Sequence, residues 1–260
     1  MKRKSEITDF FASKSPKPDN GERFTWKVYH ESLIKGVYNP KNNTDKAIDG
    51  DSKPEIDGKA DNKIRVAAFD LDSTLVATKG KSPWPRSADD WKWAFEKVPA
   101  ILRQLYHNKT DIEKESPKES SEHIPNGIDK DSSSVTDNAP YTIVIFSNQG
   151  STVPREDTKR FQQLKERVRQ VVTSIGVPVL FYAAAKVDKT KESQFRKPKT
   201  GMWDELIKDL AELHQTIDME KSFYCGDALG RPNDFADSDK QFANAIGITC
   251  YTPEYIFYQI

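Results

Sequence analysis

Four short apolar runs, at residues 64–71, 141–146, 177–185 and 223–226, are separated by segments with helical periodicity, and a fifth run lies at 248–251. This alternation constrains the fold more than any other feature of the chain. Strands joined through helices build a parallel sheet with helices packed on both faces. Residues 91–106 read as helical, with Pro99 suited to a helix start. Phe161, Leu164, Val168, Val171, Val172 and Ile175 fall on one helical face, which Gly176 and Pro178 end. Trp203, Leu206, Ile207, Leu210 and Leu213 form another face, with Thr200 as its N-cap. The expected fold is a three-layer, Rossmann-like α/β domain.

Each of the first four strands is followed by polar residues. The first ends in Asp70-Leu71-Asp72-Ser73-Thr74 and the second in Ser147-Asn148-Gln149. Arg196-Lys197-Pro198 follows the third. Gly226-Asp227 closes the fourth, with Arg231, Asp234 and Asp239 after it. A parallel sheet brings these clusters to one edge, beyond the C-terminal ends of its strands. Taken singly, each cluster is ordinary turn or surface chemistry. Together and in this order they suit phosphoryl transfer. One carboxylate attacks phosphorus, and a second, two residues on, moves the proton. Several carboxylates crowded together need a cation, and Mg²⁺ takes oxygen ligands while bridging to phosphate. A hydroxyl, an amide and a lysine hold the phosphate oxygens.

Charge supports this only through its distribution, because forty basic residues balance forty acidic ones. Residues 151–200 carry twelve Lys/Arg against five Asp/Glu, and residues 201–260 carry four against eleven. A basic middle beside an acidic end fits a phosphate-binding surface beside a metal site, and ordinary solvated surface fits it equally. Cys225 and Cys250 lie in two of the apolar runs, without zinc-type spacing, and imply no disulfide framework. No apolar run is long enough to span a bilayer, and the charged start is unlike a signal peptide. A soluble, intracellular protein is expected.

The hydrophobic fraction is 36% and the charged fraction 31%, which is polar for a folded enzyme. Three stretches account for this: residues 1–22, about 39–62 and about 110–139. None holds enough apolar surface to offset the entropy of ordering. They are expected as a disordered tail and two polar insertions within a domain spanning 23–260.

The motifs FDLDSTL, IVIFSNQG, RKPKTGMWDEL and YCGDALGRPNDF, and the segment FANAIGITCYTPEYIF, resemble the phosphatase domain of polynucleotide kinase/3′-phosphatases. That domain belongs to the haloacid dehalogenase superfamily. The resemblance covers residues 64–260 apart from the second polar insertion, and residues 24–38 match a strand before the first motif. It implies a stand-alone DNA 3′-phosphatase of the dehalogenase-type fold, acting in DNA repair. Asp70 is then the nucleophile and Asp72 the acid/base. Asp70, the Asp72 carbonyl and Asp227 hold Mg²⁺, and Asp239 supports the metal from behind. Ser147, Asn148 and Lys197 bind phosphate. Ser73 stands where the family often has glycine, and the longer basic insertion that some relatives carry before Asp234 is missing.

Substrate size has its own argument. Residues 148–197 hold only about one helix and one strand, too little for a large cap domain, and an open site suits a polymer end. Arg155, Lys159, Arg160, Lys186, Lys189, Arg196, Lys199 and Arg231 are candidate contacts for a DNA backbone. Trp84, Trp91 and Trp93 are read as packing residues rather than as a base-stacking platform. In the tail, Ile7, Phe10 and Phe11 resemble the peptide that docks on the DNA sliding clamp, with Lys4 where that motif usually has Gln. Lys2-Arg3-Lys4 is a weak nuclear import signal, and the nucleus is the expected location. No complete nucleotide-binding loop is present, Gly80-Lys81-Ser82 being the nearest approach, so no 5′-kinase activity is expected. A monomer is expected. The competing readings are a capless phosphatase of small metabolites and a non-catalytic, clamp-bound adaptor.

Overall fold

The computed structural model describes residues 23–40, 62–107, 139–187 and 193–259. The N-terminal tail, its clamp-like motif, nearly all of both polar insertions and Lys189 lie outside these residues. Among the described residues, no helix is long and apolar enough to cross a membrane.

The centre is a parallel sheet built from β3 (Lys63–Phe69), β6 (Tyr141–Gln149), β7 (Val179–Ala185), β9 (Phe223–Cys225) and β10 (Thr249–Tyr251). Its order is β7-β6-β3-β9-β10, with the short β8 (Thr216–Ile217) pairing the start of β3. β1 (Arg23–Tyr29) and β2 (Leu33–Asn39) extend it as an antiparallel hairpin beside β7. The one strand expected over 24–38 is therefore two. The turn between them places His30 and Glu31 at φ 49° and 58°, closed by the Ser32 N–H donating to the Tyr29 carbonyl at 3.1 Å. Neither residue is Gly, Asn or Asp, so the usual turn signal is missing.

Period-two alternation sends neighbouring side chains into different cores. Ala67, Phe69, Ile143, Ile145, Phe181 and Cys225 enter one core. Val66, Ala68, Val144, Phe146, Tyr182 and Tyr224 enter the other. The first core is covered by α1 (Val98–His107), α2 (Lys159–Ile175) and α5 (Pro253–Gln259). The second is covered by α3 (Gly201–Glu212) and α4 (Ser238–Ile246). Gly176 ends α2 as expected, adopting φ 76° and donating its N–H to the Val172 carbonyl.

Two local expectations are corrected. The helix predicted over 91–106 begins only at Val98. Before it, β5 (Lys92–Trp93) pairs with β4 (Val76–Ala77), and Trp91 and Trp93, edge to face with each other, pack against the first core. Trp84, by contrast, is exposed. Thr200 occupies the N-cap position of α3 but does not cap it. Its backbone is already helical, and its hydroxyl donates to Asp204 at 3.0 Å.

Among the described residues there is no large cap domain. The segment between β3 and α1 holds only the β4–β5 ribbon, and the β6–β7 crossover holds only α2.

Candidate active site

The register of the sheet fixes the site. Phe69 pairs with Ile145 on one side and Cys225 on the other. Asp70 and Asp227, just past the ends of β3 and β9, and Ser147, two residues beyond Ile145 on β6, therefore come to one edge. The Asp70 N–H donates to the Cys225 carbonyl at 2.9 Å, continuing the ladder one step. The chain then turns sharply. Ser73 sits at φ 67°, in the left-handed region that favours glycine.

Lys197 organises the centre. Its ammonium is buried and donates to Asp70 Oδ1 at 2.6 Å, to Asp239 Oδ1 at 2.7 Å and to the Tyr224 hydroxyl at 2.7 Å. The Tyr224 hydroxyl donates in turn to Asp239 Oδ1 at 2.8 Å. The other oxygen of Asp239 accepts the Ala228 N–H at 3.0 Å. Both Asp239 oxygens are therefore committed to fixing Lys197 and the 226–228 turn. The approach of Asp239 is close: a Cβ on Gly226 would lie 2.5 Å from its carboxyl carbon.

The backbone of Lys197 is held as firmly as its side chain. Asn148 accepts the Lys197 N–H at 2.9 Å and donates to the Lys197 carbonyl at 3.1 Å. Its side-chain amide, expected on phosphate, is thus occupied in docking the loop that carries the lysine. Ser147 is buried and accepts a hydrogen bond from Gln149 at 2.8 Å.

Asp72 stands apart from this centre. Its side chain is 40% exposed against 10% for Asp70, and it receives hydrogen bonds from Arg167 and from Gln149. Arg196 and Lys199 are exposed beside the lysine loop, with the Arg196 guanidinium lying over Gly150. Arg231, also a candidate DNA contact, is partly exposed and held by acids. It pairs with Asp234 and Glu254 at 3.0 Å and donates to the Asp227 carbonyl at 3.3 Å, anchoring this loop to α5.

Asp70, Asp227 and Asp239 offer oxygens that lie within 4.8 Å of one another. Burial, with Asp239 and Asp227 close by, pushes the Asp70 carboxyl up against the opposing pull of Lys197. Burial and then Asp239 raise Asp227 to about 6, and Thr74 donates to it at 3.3 Å. Burial opposes the charge on Lys197, but Asp239 and Asp70 outweigh it and hold the lysine protonated. One lysine against three carboxylates leaves negative charge in excess. An all-oxygen donor set with excess negative charge fits a hard divalent cation. With Asp239 occupied, Asp70 and Asp227 are the carboxylates left to bind it.

Sequence reasoning missed Arg167 and Tyr224, and placed Gln149 in the strand-end cluster without a role. Arg167 carried a signal, a charge on the apolar face of α2 between Leu164 and Val171. Tyr224 reads as core because it lies within an apolar strand.

Residues 65–257 match the family model described as polynucleotide kinase 3 phosphatase. The chain is 30% identical over 236 residues to the polynucleotide 3′-phosphatase of Saccharomyces cerevisiae, spanning 75% of this chain and 88% of the yeast protein. It is 34% identical over 200 residues to the bifunctional polynucleotide phosphatase/kinase of Schizosaccharomyces pombe, where the match spans 77% of this chain and 39% of that longer protein. The crystal structure of a HAD-like phosphatase from Mesorhizobium loti superposes with a TM-score of 0.50 at 14% identity, covering 86% of this chain and 80% of that one, a likeness of fold. By sequence, the chain belongs to the polynucleotide kinase 3 phosphatase family.

Proposed function

We propose that the protein is a Mg²⁺-dependent phosphatase that removes 3′-phosphates from DNA ends and leaves a 3′-hydroxyl, in the nucleus and in the service of DNA repair. The observation that carries this reading is the contact of Asp70 with the buried Lys197 at the end of β3, with Asp72 two residues on and open to solvent. Lys197 holds one Asp70 oxygen and leaves the other to attack phosphorus. As the Asp70–phosphorus bond forms, the bond to the sugar O3′ breaks and Asp72 supplies the proton that O3′ takes. Asp72 then accepts a proton from a water that attacks the aspartyl-phosphate, releasing phosphate and restoring the Asp70 carboxylate. Lys197 and Ser147 orient phosphate oxygens, while Asn148 acts through the lysine loop. Asp70, the Asp72 carbonyl and Asp227 would hold Mg²⁺, which when bound neutralises charge on phosphate and carboxylates.

Openness favours a polymer end over a small metabolite. The exposed Arg196 and Lys199 lie on the loop that carries Lys197, where a DNA backbone leaving the site would meet them. The test is a duplex carrying a 3′-phosphate and a 5′-hydroxyl, incubated with Mg²⁺ and labelled ATP, beside small phosphomonoesters. The expected result is phosphate release from the DNA end and no label at the 5′ end. Asp70→Asn should abolish release, and Asp72→Asn should slow it by roughly 10²–10⁴-fold. An intact 3′-phosphate beside rapid cleavage of the small esters would replace this reading with that of a metabolite phosphatase.

A further inference from the structure

Arg167 sits on the packed face of α2, one residue before Val168 and between Leu164 and Val171, all buried in the first core. Its side chain is 3% exposed. Among the described residues its one ion-pair partner is Asp72, reached through Nη1 to Oδ1 and through Nη2 to Oδ2 at 3.4 Å. Gln149, at the end of β6, donates to the same Oδ2 at 2.8 Å and to the Ser147 hydroxyl at 2.8 Å.

The pair is lopsided. A permanent charge is carried into an apolar helix face, where methionine would fill the space without the cost of desolvation. It reaches outward to a carboxylate that is itself 40% exposed. An ion pair serving stability alone needs no such reach. What the arrangement achieves is orientation. A helix and a strand end grip both oxygens of a side chain carried on a turn, next to Ser73 in its left-handed conformation.

We propose that Arg167, assisted by Gln149, is the positioning residue for the proton transfers of Asp72: a two-point bracket that fixes the carboxylate toward the leaving oxygen. The inference rests on the reading of Asp72 as the acid/base. Arg167 does not touch the substrate. Its effect enters when the P–O3′ bond breaks and O3′ takes the proton from Asp72, and again when the attacking water gives its proton to Asp72. Misplacing a reacting group by about an ångström costs on the order of 10²-fold. A lysine at 167 keeps the charge and loses the two-point grip.

Leaving-group dependence tests this. A sugar oxygen leaves poorly without a proton, whereas nitrophenolate leaves without one. Single-turnover release of the leaving group is measured with Mg²⁺ for wild type, Arg167→Lys, Gln149→Met, Asp72→Asn and the Arg167→Lys/Asp72→Asn double variant. The substrates are a DNA 3′-phosphate and p-nitrophenyl phosphate. Arg167→Lys is expected to slow release from DNA by roughly 10²-fold and from the nitrophenyl ester by about threefold or less, with DNA affinity unchanged. Gln149→Met should give the same pattern at smaller size, roughly tenfold, and it decides the matter if Arg167→Lys does not fold. Adding Arg167→Lys to Asp72→Asn should cost little more than Asp72→Asn alone. Equal losses on both substrates, no loss on DNA, or full additivity in the double variant would overturn the positioning role. A wild type inactive on both substrates would instead overturn the phosphatase reading.

Discussion

Among the described residues, two buried lysines keep nearly the same company. Lys197 meets Asp70, Asp239 and the Tyr224 hydroxyl. Lys35, on β2, meets Glu205 at 2.7 Å and Asp209 at 2.9 Å, and the Tyr182 hydroxyl donates to Asp209 at 2.6 Å. The Lys35 ammonium also lies 4.4 Å from the centre of the Tyr29 ring. The two clusters differ in charge balance. Around Lys35, two carboxylates face two lysines, because Lys208 also pairs with Glu205 at 2.7 Å. Burial works to raise Glu205, and hydrogen bonds from Lys208 and Lys35 outweigh it, so its carboxyl lies below its usual value. Around Lys197, a third carboxylate, Asp227, goes unmatched and is pushed up to about 6. The balanced cluster fastens the β1–β2 hairpin to α3. The unbalanced one keeps a debt of positive charge at the mouth of the sheet. Composition alone would not separate the two clusters; net charge and place on the sheet edge do.

Exchanging each lysine for methionine breaks the comparison most directly. Lys197→Met should reduce turnover by roughly 10²–10³-fold, the usual cost of removing a preorganised donor from developing negative charge. Its thermal midpoint should also rise more with Mg²⁺ than that of wild type, since three carboxylates would then be uncompensated. Lys35→Met should leave turnover of the folded protein within about twofold, but cost about 3–5 kcal/mol of stability, because its acids stay buried without their partner. Steady-state rates, thermal melts and urea unfolding, each with and without Mg²⁺, check both. Equal damage to turnover from the two variants would erase the distinction.

Metal titration sharpens the comparison at smaller effect. A chelator should abolish turnover. Saturating Mg²⁺, at about 100 times its dissociation constant, should stabilise wild type by about 2.7 kcal/mol. Asp227→Ala should lose most of that gain, and Lys35→Met should keep it. A full Mg²⁺ increment in Asp227→Ala would remove that residue from the metal site.

The smallest effect on catalysis is expected from the tail. Phe10→Ala with Phe11→Ala should abolish capture by a sliding clamp and leave turnover on short DNA unchanged, since aromatic anchors dominate such docking. A labelled peptide of residues 1–20 that fails to bind clamp at high micromolar concentration would dispose of the motif.

These clusters also mark how far sequence reading reached. Asp70, Asp72, Lys197 and Asp227 were legible because each follows an apolar strand, and parallel topology carries strand ends to a shared edge. The helical face of α2 was legible from periodicity, and its end from Gly176. Three-dimensional partners were not legible. Arg167 stands out as a charge on an apolar helix face, but nothing near it in sequence names Asp72 as its partner, and Tyr224 and Tyr182 look like core until their hydroxyls meet acids across the fold. Lys35 lies among apolar neighbours with no local sign that Glu205 and Asp209 await it 170 residues on. The β4–β5 ribbon, two residues a side, is too short for any periodicity, and its tryptophans mimic a helix.

Gly226 carries a consequence of another kind. Asp239 occupies the space a methyl group would need there, and Asp239 cannot yield, being held by Lys197, Tyr224 and Ala228. Sequence drift elsewhere in the strands trades one apolar volume for another at modest cost. At this position the alphabet has one letter. The smallest residue in the chain works as a spacer whose thickness is zero, and the fine adjustment of a buried ammonium some residues away depends on nothing being added to it.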